Sequence, residues 1–248
     1  MERVADFFRW LNDARGINFS IFYDALDRSR FLEGLWTTVE LSTICTLLSL
    51  AIGVFGAGLQ GSRFRPTRRA VQAYIQFFRN TPPLVQLFFF YFALGNTLPQ
   101  VRDDHGMLVP AISNVGWAIL SFSLFAGAFN VEIFRAGIEA VPRATIEAAE
   151  ALGYSRLGAY RHVVLPLAFR ISLPALNNNL VNLVKTTTLA YAIAVPELLY
   201  AAAQIWSEEL NVREMMNVLL ATYVALIAVL VVIMGRWERA LRIPGYSP

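Results

Sequence analysis

Residues 144–166 read ATIEAAEALGYSRLGAYRHVVLP and lie between two long apolar segments. Residues 147–149 belong to a run of Ala, Leu and Glu, which are good helix formers, and Gly153 stands where a glycine commonly ends a helix. A second amphipathic run covers residues 156–165, and we expect Pro166 to begin the next element. The stretch predicts a helix–turn–helix finger outside the bilayer; the alternative is an ordinary amphipathic cytoplasmic loop.

The composition of the whole chain indicates a membrane protein. Of its 248 residues, 56% are hydrophobic, and the mean hydropathy of +0.48 is too high for a soluble domain of this length. The one cysteine, Cys45, lies in an apolar run and excludes a disulfide framework. The net charge of +3 does not predict nucleic-acid binding, because the basic residues cluster at the ends of apolar segments.

Apolar segments long enough to cross a bilayer recur along the chain, since a spanning helix needs about 20 apolar residues. We therefore expect an all-α membrane protein with about five transmembrane helices. The first 30 residues mix arginine, aspartate and aromatic side chains, so no removable signal peptide is expected. We expect an N-terminal amphipathic periplasmic segment at 1–33, a transmembrane domain at 34–243 and a cytoplasmic tail at 244–248. The predicted spans are 35–59, 71–94, 115–134, 173–199 and 217–235.

The distribution of basic residues orients the spans, because cytoplasmic loops carry an excess of Lys and Arg. Four arginines lie in 60–70, five in 135–170 and three in the C-terminal tail. The alternate segments 95–114 and 200–216, which we expect to be outer loops, carry one each. This pattern predicts a cytoplasmic finger, an N-terminus outside and a C-terminus inside. Five arginines in the first 33 residues argue against it, and an N-terminus lying flat on the outer surface reconciles the two observations.

Two predicted spans carry features that a plain lipid-facing helix would avoid. The segment 71–94 is interrupted by RNTPP at 79–83, and proline removes a backbone hydrogen bond and kinks a helix. A membrane tolerates such a break where the freed backbone faces protein or a cavity. The segment 173–199 contains Lys185, the only lysine of the chain. A lysine at mid-span costs roughly 3 kcal/mol unless it faces a cavity or a partner.

The finger resembles the EAA loop of the permease subunits of ABC importers. The Glu-Ala-Ala run, the glycine, the hydrophobic position (Val163, where isoleucine is common) and the Leu-Pro pair fall at the family positions. Three further segments are similar to those of polar amino-acid permeases of the histidine, glutamine and glutamate type. They are FRNTPPLVQLFFFYF at 78–92, AFNVEIFRAGIEAVP at 128–142 and NLVKTTTLAYAIAVPELL at 182–199. Departures from the family pattern occur at Asn80, Pro83 and 143–145.

The resemblance implies the transmembrane subunit of a type I importer in the bacterial inner membrane. In that family two permeases, identical or homologous, bind two ATPase subunits through the EAA loop, and a periplasmic amino-acid-binding protein delivers the solute. The chain has no GxxxxGK[ST] sequence, so ATP and Mg are expected on the ATPase and the chain itself is not expected to be an enzyme. We expect no cofactor in this chain, and no metal at the lone His105. The residues expected to couple to the ATPase are Glu147, Ala148, Ala149, Gly153, Leu165 and Pro166.

A zwitterionic amino acid needs a donor for its carboxylate and an acceptor for its ammonium group in a low-dielectric cavity. Polar side chains in and around the unusual spans meet this need. The candidate solute-path residues are Arg79, Asn80, Thr81, Glu132, Asn178, Asn182, Lys185, Thr187, Thr188 and Glu197. The alternative for each is a structural hydrogen bond or ion pair between helices, such as Lys185 with Glu132 or Glu197.

Other functions and solutes stay open at this point. A membrane scaffold or channel would use the same spans but has no need of the EAA spacing. A membrane enzyme is a third possibility, although the chain has no HExxH motif, nucleophile elbow or histidine cluster. Sugars, metals and peptides are rival solutes to polar amino acids.

Overall fold

The computed structural model describes residues 2–102 and 106–241. Its architecture is helical apart from one short antiparallel hairpin, which confirms the all-α fold class. Residues 103–105, with His105, and 242–248, with the predicted tail, lie outside the described residues. The elements are α1 Glu2–Arg15, α2 Ala25–Gln60, α3 Arg65–Asn80, α4 Pro83–Phe88, β1 Gln100–Arg102, β2 Leu108–Pro110, α5 Asn114–Glu139, α6 Arg143–Ala151, α7 Arg156–Ala159, α8 Leu165–Thr186, α9 Leu198–Glu209 and α10 Val212–Leu241. Short 3-10 segments occupy Ser20–Phe22, Gly95–Thr97 and Thr187–Ile193, and π-helical segments occupy Phe89–Leu94 and Tyr160–Val164.

Three helices in the described residues are long and apolar enough to cross a membrane, namely α2, α5 and α10. The helical stretches Arg156–Ile193 and Leu198–Glu209 meet at a bend of 50° and form a fourth span if they are counted together. The predicted span 71–94 is divided between α3, α4 and a π-helical segment, because Thr81 takes an extended conformation after α3. The expected number of about five spans is reached when the bent pair and this divided segment are each counted as one span.

The prediction of a loop at 200–216 is wrong except at Leu210 and Asn211, since residues 212–216 already belong to α10. Residues 200–209 belong to α9, where Ala202 and Ile205 are fully buried. The two glutamates at the end of this helix suggest a loop when the sequence is read alone. The preceding leucines and alanines nevertheless supply an apolar face, and burial of that face stabilises the helix.

Contacts divide the chain into two compact units. The first unit comprises the chain up to Ile44, Leu87–Leu120 and Val184–Val229. In this unit α2 and α9 approach closely at Gly34, where an added Cβ would lie 2.7 Å from the Cβ of Ala201. Its hydrophobic core consists of Ile21, Phe31, Leu198, Ala202, Ile205, Met215 and Leu219.

We expect Gly34→Leu to lower the thermal unfolding temperature of the detergent-solubilised chain. A side chain at this contact overpacks it, which typically costs about 1–3 kcal/mol. Gly58→Leu in the same helix is the matched control, because beyond the local helix backbone nothing lies within 4 Å of a Cβ added there. At that open site leucine is favoured over glycine by up to about 1 kcal/mol. Equal unfolding temperatures for the two variants would contradict the close contact.

The second unit comprises Cys45–Gln86, Ser121–Leu183 and the chain from Leu230 onward. It contains α3, α6 and α7, and therefore both the finger and the start of the RNTPP break. One hydrophobic cluster is formed by Val71, Ile75 and Val131, and a second by Val141, Val164, Leu167 and Ala168. The second cluster lies where the finger joins α5 and α8.

Candidate coupling finger and polar membrane residues

The first helix of the finger ends before the predicted glycine. α6 ends at Ala151, and Gly153 adopts φ +89°, a left-handed conformation that favours glycine. The amide N of Tyr154 donates to the carbonyl O of Ala149 at 3.1 Å, and the amide N of Gly153 donates to that of Glu150 at 3.0 Å. These two bonds form a Schellman motif, which satisfies carbonyl groups at the end of α6. The role predicted for the glycine in ending the helix is confirmed.

The second helix of the finger is continuous with the following span. Ser155 caps α7 by accepting a hydrogen bond from the amide N of Gly158 at 3.1 Å. From Arg156 the chain stays helical through α7, a π-helical turn and α8 as far as Thr186. α8 begins at Leu165, one residue before the predicted start at Pro166, but it follows the π-helical turn without a break. Proline lacks an amide hydrogen and its ring crowds the preceding turn, and the wider π-helical turn directly before it accommodates both effects.

The finger is packed against the protein at its base and exposed to solvent at its tip. At the base, the buried side chains of Val141 and Val164 pack with Ile146 of α6. At the tip, Leu152 and Leu157 are 81% and 77% exposed on either side of the turn. Of the predicted coupling residues, Ala149 is buried, and the exposed ones are Glu147, Ala148, Gly153, Leu165 and Pro166. The finger therefore presents apolar side chains on a turn whose backbone is fixed by hydrogen bonds.

Gln86 forms hydrogen bonds across the proline break between α3 and α4. Its side chain is 2% exposed, and its Nε2 donates to the carbonyl O of Phe78 at 2.9 Å and to the carbonyl O and Oγ1 of Thr81 at 3.0 and 2.6 Å. Pro82 and Pro83 cannot donate the amide hydrogens that a continuous helix would supply here. The freed backbone thus faces protein, as the sequence predicts for a break in a membrane segment. A lone glutamine in an apolar run is the signal for this role, which sequence reasoning alone did not assign.

We expect Gln86→Leu to destabilise the chain by about 2 kcal/mol, because it leaves buried carbonyl groups without a donor. The unfolding temperature in detergent measures this loss. Gln76→Leu on α3 is the control, since Gln76 is exposed and only accepts a hydrogen bond from Asn80. A Gln86→Leu variant as stable as the control would show that water or lipid replaces the donor.

Arg79 and Glu132 are brought together in the second unit. Nη1 of Arg79 lies 3.6 Å from Oε2 of Glu132, and its guanidinium carbon lies 5.3 Å from the centre of the Phe129 ring. Nη2 of Arg135 lies 3.0 Å from the same carboxylate oxygen of Glu132. Both partners of the Arg79–Glu132 pair are partly exposed, and Arg135 also donates from Nε to the other carboxylate oxygen of Glu132 at 3.3 Å. A cation and an anion side by side match the two charged ends of an amino acid.

The neighbours of Arg79 in the break, Asn80 and Thr81, form hydrogen bonds with nearby residues of α3. Nδ2 of Asn80 donates to Oε1 of Gln76 at 2.8 Å, and Oγ1 of Thr81 donates to the carbonyl O of Phe77 at 2.7 Å. These contacts favour the structural alternative for Asn80 and Thr81.

A buried polar chain links α2, α5 and α8, although sequence reasoning did not include its members among the site residues. Nδ2 of Asn179 donates to Oδ1 of Asn130 at 2.8 Å, and Nδ2 of Asn130 donates to Oγ of Ser49 at 3.1 Å. The three side chains line a cavity of about 120 Å³ whose other walls are mainly apolar. Their mutual hydrogen bonds favour a role in joining the helices. Polar residues within apolar segments are the sequence signal that identifies them.

Three candidate path residues share one face of α8. Asn178, Asn182 and Lys185 are exposed and occupy positions i, i+4 and i+7 of the helix. Thr187 and Thr188 differ, because each hydroxyl donates to a carbonyl O of the preceding helical turn at 2.8 Å. The three side chains on the helix face are more exposed than the two threonines.

Glu197 is fully buried and caps α9. Its carboxylate accepts hydrogen bonds from the amide N of Leu199 at 3.0 Å, from that of Tyr200 at 2.9 Å and from the hydroxyl of Tyr223 at 3.0 Å. The two carboxylates considered as partners for Lys185 thus have other partners, since Glu132 is held by arginines. Within the described residues, no group of three His, Cys, Asp or Glu side chains is placed to hold a metal ion.

Comparison with known proteins agrees with the family resemblance of the sequence. Residues 49–243 match the family described as "Binding-protein-dependent transport system inner membrane component". The probable glutamine ABC transporter permease protein GlnM of Bacillus subtilis is 32% identical over 196 residues, which is 79% of this chain and 85% of that protein. The glutamate/aspartate import permease protein GltJ of Escherichia coli (strain K12) is 30% identical over 218 residues, 86% of this chain and 87% of that protein.

A solved structure shares the fold. A chain in the crystal structure of an amino acid ABC transporter with histidines superposes with a TM-score of 0.76 at 28% sequence identity. The superposition covers 86% of this chain and 94% of that chain.

Proposed function

The chain belongs to the family of binding-protein-dependent transport system inner membrane components, and from this membership we propose that it is the permease subunit of an ATP-driven importer of polar amino acids. The names of GlnM and GltJ, which specify glutamine and glutamate/aspartate, support the solute class. The observation that carries the proposal is the finger, whose anchored base and apolar tip suit docking to an ATPase. The ATPase supplies the energy because this sequence contains no P-loop.

The proposed coupling contact is the tip of the finger together with the exposed residues Glu147 and Ala148 on α6. Leu152 and Leu157 enter an apolar cleft of the ATPase, and Gly153 permits the tight turn between them. Continuity of the helix from Arg156 to Thr186 supports transmission of movement, because a displaced finger tilts the span that it extends. Closure of two ATPase subunits on ATP and Mg then shifts the permease pair from an inward-facing to an outward-facing state.

The proposed solute contacts separate by chemistry. Arg79 supplies a donor for the carboxylate of the amino acid, and Glu132 supplies an acceptor for its ammonium group. The exposed face of α8, with Asn178, Asn182 and Lys185, lines the path. We assign Asn80, Thr81, Thr187, Thr188 and Glu197 to structural roles on the basis of their hydrogen bonds.

The proposed assembly contains two permeases, two ATPase subunits and a periplasmic amino-acid-binding protein. The second permease is either another copy of this chain or a homologue. The complex lies in the bacterial inner membrane, with the N-terminus of this chain outside and its C-terminus in the cytoplasm. A domain boundary near residue 34 falls within α2, which begins at Ala25, so we propose that the N-terminal segment ends earlier.

The test is uptake by the complete complex reconstituted into liposomes with ATP inside. Labelled glutamine, glutamate, aspartate and histidine are offered with the binding protein outside, and a sugar and a tripeptide serve as controls. We expect ATP-dependent accumulation of at least one amino acid and of neither control. Accumulation of the sugar or tripeptide alone, or equal flux without ATP, would contradict the proposal.

A further inference from the structure

A group of arginines just after α2 and at the start of α3 has no role in the proposed transport cycle. Arg63, Arg65, Arg68 and Arg69 fall within seven residues, and all four are exposed. We call residues 61–69 the arginine turn. No Asp or Glu occurs in the sequence between Glu40 and position 103, so no neighbour of the turn in the sequence carries a negative charge.

The structure places these guanidinium groups around an open hollow. Arg65, Arg68 and Arg69 line, with Gln72, a concavity of about 370 Å³. Nε2 of Gln60, the last residue of α2, donates to Oε1 of Gln72 at 3.3 Å and so links α2 to a residue that lines the hollow. Within the described part of the chain, no carboxylate lies within 4 Å of any of the four guanidinium groups. Like charges this close on one helix repel each other, so the site favours an anion.

The position of the turn indicates where that anion resides. The turn directly follows α2, a helix long and apolar enough to cross a membrane, and this position suits the edge of the bilayer. The side chain of Phe64, between two of the arginines, is 65% exposed, which suits the boundary between headgroups and acyl chains. Val71, Ile75 and Phe78 are buried further along α3, so the helix packs against the protein while the arginines at its start stay exposed.

We propose that the arginine turn binds the headgroup phosphate of an anionic phospholipid. Arginine presents a planar fork that binds phosphate oxygens in pairs, and four such groups next to a span are typical of anionic-lipid recognition. The ring of Phe64 lies against the acyl chains of the same lipid. A bound lipid cancels the repulsion within the turn and stabilises the junction between α2 and α3.

The test measures the unfolding temperature of the full-length chain in nanodiscs of phosphatidylcholine with and without phosphatidylglycerol. We expect phosphatidylglycerol to raise the unfolding temperature by about 5 °C, as a ligand present well above its dissociation constant does. Soluble glycerol 3-phosphate at the same phosphate concentration, added to phosphatidylcholine discs, is expected to have no such effect. An equal rise with glycerol 3-phosphate would identify a free-anion site and overturn the lipid proposal.

Two triple variants locate the effect. Arg65→Gln/Arg68→Gln/Arg69→Gln is expected to lose the rise, whereas Arg143→Gln/Arg156→Gln/Arg161→Gln in and beside the finger, with the same change in charge, is expected to keep it. Arg65→Lys/Arg68→Lys/Arg69→Lys retains the charge without the forks and should keep part of the rise. It also provides a folded comparison if the glutamine variant fails to fold. An undiminished rise in the first variant, or equal loss in both glutamine variants, would overturn the assignment.

Discussion

Leu157→Glu is expected to reduce ATP-dependent uptake by the reconstituted complex by on the order of 100-fold. Leu157 is 77% exposed at the finger tip, so the change does not disturb the fold of the isolated chain. In the complex, losing the burial of one leucine costs about 1.5–3 kcal/mol, and burying a carboxylate in its place adds to that cost. Since 1.4 kcal/mol corresponds to a tenfold change in affinity, the ATPase should largely dissociate.

Arg156→Gln is the matched control for this variant. Arg156 adjoins Leu157 and its side chain is 95% exposed, with an ion pair to Glu150 at 3.7 Å that contributes little to stability. Co-purification of the ATPase with each variant separates lost assembly from lost transport. Uptake and co-purification of Leu157→Glu at the level of the control would rule out the tip as the coupling contact.

Glu197→Ala is expected to lower the unfolding temperature of the chain in detergent by about 6–12 °C. The change removes the acceptor of two amide hydrogens and one tyrosine hydroxyl in a fully buried site. Unsatisfied buried donors cost about 1–3 kcal/mol each, and some relaxation brings the total to about 3 kcal/mol. For a chain of this length, each kcal/mol shifts the unfolding temperature by about 2–4 °C.

Tyr223→Phe is the comparison for Glu197→Ala, because it removes one of the three donors and leaves the cap of α9 intact. It is expected to lower the unfolding temperature by only about 2–4 °C. If Glu197→Ala instead unfolds like the wild-type chain and loses uptake alone, Glu197 acts on the solute. That outcome would reverse the structural role assigned to it here.

Much of the fold could be predicted from local backbone preferences and from the hydrophobic pattern of the sequence. The end of α6 before Gly153 was predictable from the sequence. Helices commonly end at a residue with left-handed φ, and glycine is favoured at that position. Five apolar segments of suitable length defined an all-α membrane chain for a similar reason. The positions of the Glu-Ala-Ala run and the Leu-Pro pair likewise indicated the family to which residues 49–243 belong.

Tertiary structure decided which polar groups meet and which helices continue. The hydroxyl of Thr38 accepts a hydrogen bond from the amide N of Leu198, 160 positions away, and no local pattern indicates such a pair. The sequence suggested Glu197 as a possible solute acceptor. In the structure its carboxylate instead accepts hydrogen bonds from Tyr223 and from the first amides of α9.

The amino-acid sequence by itself determined the class of protein, the finger and its glycine turn, because these depend on residues adjacent in the chain. Only the tertiary structure revealed the continuous helix through Pro166, the buried face of α9 and the support of the proline break by Gln86. In each case the conformational preference of the local sequence competes with the burial of apolar side chains or the hydrogen bonding of polar groups. That balance is set by the three-dimensional surroundings of the residues.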